Sequence, residues 1–81
     1  MNHRPLTEIA REINENWKSP HFAAKPYLNA LAGMHSIHDR FGYDDARGIV
    51  LYFLSNAGTW RGPVAKRIKA ELKAELKAAL K

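Results

Sequence analysis

The chain has 81 residues, 46% of them apolar and none of them cysteine, which allows one small core and excludes disulfides and thiolate metal sites. Its formal net charge is +5, and the whole excess falls in residues 59–81, where seven lysines and arginines stand against two glutamates; residues 1–19 and 20–58 each sum to zero. Such asymmetry points to a polyanionic partner. No apolar stretch reaches 18 residues and the first residues hold no apolar leader core, so the expectation is a soluble intracellular protein with no membrane partner.

The first helix is predicted over residues 6–17. Leu6, Ile9, Ala10, Ile13 and Trp17 share one face at helical spacing, and Pro5 stands where a helix start tolerates proline. Lys18-Ser19-Pro20 breaks it, and Phe22 in the connector is expected to anchor into the core. A second helix is predicted over 26–41, because Tyr27, Ala30, Leu31, Met34, Ile37 and Phe41 recur at helical intervals, with Gly42 as the residue that ends it. Gly33 inside this run would be tolerated where another helix crosses closely.

The run Ile49-Val50-Leu51-Tyr52-Phe53-Leu54 is the longest unbroken apolar stretch. Asp44 in front of it suits an N-cap, Asp45 favours the positive end of the helix dipole, and Gly58 suits a left-handed terminator. These flanks predict a third helix over 44–57, central to the fold, with Leu51 and Tyr52 widening its buried face. A fourth helix is predicted over 60–80, starting near Trp60 or Pro63. Val64, Ile68, Leu72, Leu76 and Leu80 recur every four residues in it, and Lys69, Lys73, Lys77 and Lys81 wind alongside. The predicted class is therefore all-α: one domain, residues 1–81, a bundle of about four helices whose last turns protrude from the core.

Three constellations carry candidate chemistry. The first is the turn Asn56–Pro63 with the helix after it. Two helices joined at a glycine turn suggest a helix-turn-helix in which Thr59, Arg61, Lys66, Arg67, Lys69 and Lys73 contact phosphates or bases. The competing reading is a helical hairpin with a solvated basic face; Arg67 where such motifs want an apolar residue, and Gly62-Pro63 inside the reading surface, favour it. The second is a partner-binding surface of Trp60 with Leu72, Leu76 and Leu80, for a host protein or a second copy; the competing reading packs Trp60 at the core edge and the leucines inside the monomer. The third is His35, His38 and Asp39, at one-face helical spacing with His21 as a conceivable addition; polar surface residues at a helix end describe them better, and no metal or cofactor is expected. Asp44 and Asp45 read as a cap and its neighbour rather than an acid/base pair. Nothing resembles an activated serine or a phosphate loop, so the chain is not expected to be an enzyme.

Trp17, Pro26-Tyr27-Leu28, Phe41-Gly42, Asp45-Ala46-Arg47, the 49–57 run, Thr59-Trp60-Arg61-Gly62 and Ala65–Leu72 together resemble a group of small proteins encoded by actinobacteriophages. The likeness covers about residues 6–72, and the block from Asn56 to Gly62 is its most recognisable part. It implies a phage origin and a size class rather than a mechanism; small phage proteins of this sort commonly regulate transcription or bind and redirect a host protein, so an accessory or regulatory role in the cytoplasm of the infected bacterial host is expected. The lysine-rich end, 73–81, is the part least like the group.

Overall fold

The computed structural model describes residues 4–41 and 44–79, with side chains described for all but Arg40, Phe41 and Asp44 among them. Its elements are α1 (Leu6–Asn16), α2 (Lys25–Leu31), β1 (Arg40–Phe41), β2 (Asp44–Asp45), α3 (Ala46–Ser55) and α4 (Pro63–Ala79). The class is all-α; the strands are one antiparallel pairing, Arg40 with Asp45 and Phe41 with Asp44. α1 packs on α2 and α4, and α3 packs on the same two helices, so the four close a ring. The molecule is 30 × 29 × 19 Å, its least dimension close to two helix diameters. Among the described residues no helix is long and apolar enough to cross a membrane.

α1 forms as its spacing predicts: Leu6, Ile9, Ala10 and Ile13 are buried along one stripe. No side chain caps its start. Pro5 lends its carbonyl to the Glu8 and Ile9 N–H groups, and Leu6 N–H reaches the His35 carbonyl at 2.8 Å. The connector after it departs from expectation. Phe22 does not anchor in the core but stands 80% exposed, because the turn at residues 22–24 buries Ala24 instead.

The second helix is much shorter than 26–41. It ends at Leu31, and residues 32–39 are turns. Tight bonds from Gly33 N–H to Ala30 and from Met34 N–H to Leu31 replace the helical pattern. The Asp39 carboxylate then accepts the backbone N–H of His35 (2.9 Å) and Ser36 (3.2 Å), offering the chain an alternative to helix. Met34 and Ile37 are still buried, which is why the apolar spacing imitated a helix. No helix crosses closely at Gly33, where an added Cβ would meet only the Ala30 carbonyl at 3.7 Å. Gly42 lies outside the described residues.

α3 begins at Ala46, two residues inside the expected range 44–57, and ends at Ser55. Asp45, not Asp44, is the cap, its carboxylate accepting Gly48 N–H at 2.8 Å. Among the described residues Phe53 is the largest fully buried side chain, and Ala46, Ile49 and Val50 accompany it inward. α3 lies between α2 and α4, which makes it central, but its apolar face is narrower than the sequence suggested: Leu51 and Tyr52 are each 54% exposed. Tyr52 packs on Tyr27 outside the core, ring centroids 5.3 Å apart.

Gly58 does not terminate the helix in a left-handed conformation. α3 closes through tight bonds from Asn56 N–H to Phe53 and from Ala57 N–H to Leu54, and the positive φ falls at Gly62 (112°). There glycine is needed: a side chain at that φ would be strained. Gly62 turns the chain into Pro63, the first residue of α4, and its carbonyl takes the Lys66 N–H. α4 stays packed on the core to its last described turn: Leu72, Glu75 and Leu76 are buried and Ala79 partly so, rather than protruding. Leu80 lies outside the described residues.

Candidate nucleic-acid interface

At 100° per residue, α4 presents three distinct flanks. Ala65, Ile68, Leu72, Glu75 and Leu76 form the buried one. Lys66, Lys69, Lys73 and Lys77 follow at steps of three and four along a second. Arg67 and Glu71, four residues apart, lie on the third, which faces α1.

The α1-facing flank is neutralised. Arg4 makes a two-pronged contact with Glu71 (2.6 and 2.9 Å) and meets Glu12 at 2.9 Å. Arg67 donates to the other oxygen of Glu12. The Arg67 guanidinium, with Arg4 beside it, holds the Glu12 carboxyl below its usual range against the opposing effect of burial. Glu71, and then Glu12, keep Arg4 firmly protonated. Two cations and two anions cancel here. Arg67, expected among the nucleic-acid contacts, is therefore engaged in an intramolecular ion pair on the α1-facing flank, away from the lysines.

Among the described residues no ion pair neutralises the lysine flank in this way. Lys69 is partly buried; its Nζ donates to the Trp60 carbonyl at 2.6 Å and lies 5.9 Å from the centre of the Trp60 ring. Burial, and then the positive charges of Lys73 and Arg61, push its pKa down from the ordinary 10.5. Lys73 stands one turn from Lys69 on α4, and Arg61 and Lys69 line one groove, so the three form one positive patch. Of the two glutamates of α4, Glu71 is bound to Arg4 and Glu75 lies on the buried flank.

Two shallow grooves flank Arg61. One is lined by Trp60, Arg61, Gly62, Pro63, Ala65, Lys66 and Lys69. The other is lined by His21, Ser55, Asn56, Gly58, Thr59 and Arg61. Of the six residues expected to contact nucleic acid, the structure thus brings together Arg61, Lys66, Lys69 and Lys73, sets Thr59 in the adjoining groove, and removes Arg67. Lys77 joins the stripe; its spacing of four from Lys73 was the signal for it. The helix-turn-helix geometry is not formed. Seven residues, 56–62, separate α3 from α4, where that motif uses a turn of about three or four.

The partner-binding set is inside the protein. Trp60 is 3% exposed, stacked on Trp17 (5.6 Å, 12° between planes) with Phe53 edge-on to both, and its Nε1 donates to Asn16 Oδ1 at 2.8 Å. Leu72 and Leu76 are buried in the same core. These three residues offer no surface to a partner. Among the described residues no group of three histidine, cysteine or acidic side chains is placed to hold a metal. Backbone hydrogen bonds from His35 and then Ser36 hold the Asp39 carboxyl below its usual range, and His21 stacks on Phe22.

No family model, no curated protein and no solved structure matches the chain.

Proposed function

We propose that the protein is a nonenzymatic phage accessory or regulatory protein, acting in the host cytoplasm, that binds nucleic acid through Arg61, Lys66, Lys69 and Lys73, with Lys77 extending the patch and Thr59 beside it. The observation that carries this reading is the separation of charge on α4. The cation and anion facing α1 are consumed in internal ion pairs, while the opposite flank keeps a row of lysines with no acidic side chain in it. From Lys66 to Lys77 the row runs for about 16 Å along the helix. Point charges of this kind bind phosphates without reading sequence, so binding tolerant of base order is expected.

The alternative, an interaction module built on Trp60 and the 72/76/80 leucines, has lost three of its four residues to the core. The experiment is a titration of a labelled oligonucleotide with the intact protein at about 50 mM salt. Saturable binding that weakens as salt is added is the expected result. Absence of binding at that salt would overturn the proposal.

A further inference from the structure

Phe22 is the most exposed large apolar side chain among the described residues. One isolated surface aromatic needs no explanation. Its place does invite one. One face of its ring packs on His21, with centroids 4.8 Å apart and 24° between planes. His21 in turn lines the groove that holds Thr59 and Arg61, and Arg61 also lines the groove that leads to Lys66 and Lys69. An aromatic platform, a polar groove and a cationic track therefore follow one another across the surface.

From this juxtaposition we infer that the ligand is single-stranded nucleic acid, its backbone tracking Arg61 and the α4 lysines while an unpaired base stacks on Phe22. The inference rests on the nucleic-acid reading above and specifies its substrate. A duplex keeps its base faces stacked inside and shows only edges in its grooves, so a ring offered face-on gains nothing from it. An unpaired base can splay out and cover such a ring, whatever its sequence. The groove between platform and track argues against an apolar protein segment as occupant. It is lined by a guanidinium, a histidine, two hydroxyl side chains and an amide, groups suited to phosphate, sugar and base edges.

The test compares an oligothymidylate with a duplex of equal length, titrated with wild type, Phe22→Ala and Phe22→Trp at about 50 mM salt. Because Phe22 lies outside the core, both variants should melt like wild type. Expected are tighter binding of the single strand by wild type and a roughly tenfold loss for Phe22→Ala on the single strand alone. Phe22→Trp should retain the affinity, and its added indole emission should be quenched on binding. If wild type binds both ligands with falling affinity in salt but Phe22→Ala changes neither, the single-strand inference is overturned and the basic patch survives. Tighter binding of the duplex has the same consequence. If neither ligand binds, both proposals fall together.

Discussion

Arg67 and Lys66 are neighbours in sequence with opposite expected behaviour on substitution. Arg67 is half exposed (53%) and paired with Glu12, whose side chain is 29% exposed. Exposed ion pairs are typically worth ~0.2–1 kcal/mol, and membership in a four-residue network places this one toward the top of that range. Arg67→Ala should then cost about 0.5–1 kcal/mol, which for a domain of this size lowers the melting temperature by about 2–8 °C. Its effect on nucleic-acid binding should be small, because the charge it removes is already balanced. The bare Glu12 it leaves behind keeps Arg4 and is screened beyond about 10 Å at 0.1 M salt. Lys66→Ala should do the reverse. Melting should stay within about 0.5 kcal/mol of wild type, as for most surface changes. The slope of log affinity against log salt should become shallower by about one. Thermal melts followed by circular dichroism and titrations at three or four salt concentrations measure both quantities. The reasoning is refuted if Arg67→Ala flattens the salt slope as much as Lys66→Ala while leaving the melt unmoved.

Three further expectations come from the same contacts. Glu12 has a folded pKa below its ordinary 4.5, so its stabilising effect is complete above 4.5 and fades as pH falls through the lower folded value; the stability gap between wild type and Glu12→Gln should close across that window in acid melts. Asn16→Ala removes the acceptor for the buried Trp60 N–H and should cost about 1–2 kcal/mol in urea denaturation, an unchanged midpoint speaking against that hydrogen bond. Lys69 has a folded pKa below 10.5, so it favours the unfolded state at neutral pH and stability should rise as pH climbs through the folded value toward 10.5. A phosphate close to Lys69 would favour its charged form. Binding at a pH between those two values should therefore take up a proton, detectable as a buffer-dependent heat in calorimetry, and Lys69→Met should abolish the uptake.

Local spacing made much of the fold legible. α1, α3 and α4 follow the 3.6-residue pattern because each buries one stripe, and Pro5, Asp45 and Pro63 mark their starts. The spacing predicts too long a second helix because Met34 and Ile37 are buried at helix-like intervals from a chain that is not helical. The decisive agent, the Asp39 carboxylate bonded to backbone N–H groups, competes with helix without disturbing the apolar pattern. Phe22 stands outside the core against expectation because hydrophobicity alone does not say which aromatic a small core leaves exposed.

The lysine flank was legible because a single helix sets its spacing. The fate of Arg67 was not: its partner Glu12 is 55 residues away, and only the packing of α4 on α1 brings them together. Trp60 shows the same limit. Its interior role depends on Trp17, Phe53 and Asn16, which come from three other parts of the chain.

The most direct measurement of the role of the α4 lysines is the salt dependence of oligonucleotide binding by wild type and by a Lys66→Ala, Lys69→Ala, Lys73→Ala variant with its fold verified by circular dichroism. Phosphate contacts by Arg61 and the four lysines predict a log–log slope of about −3.5 to −4.5 for wild type, and Arg61 with Lys77 about −1.5 to −2 for the variant. An equal slope and affinity for the two proteins would contradict the assignment of this flank as the binding surface.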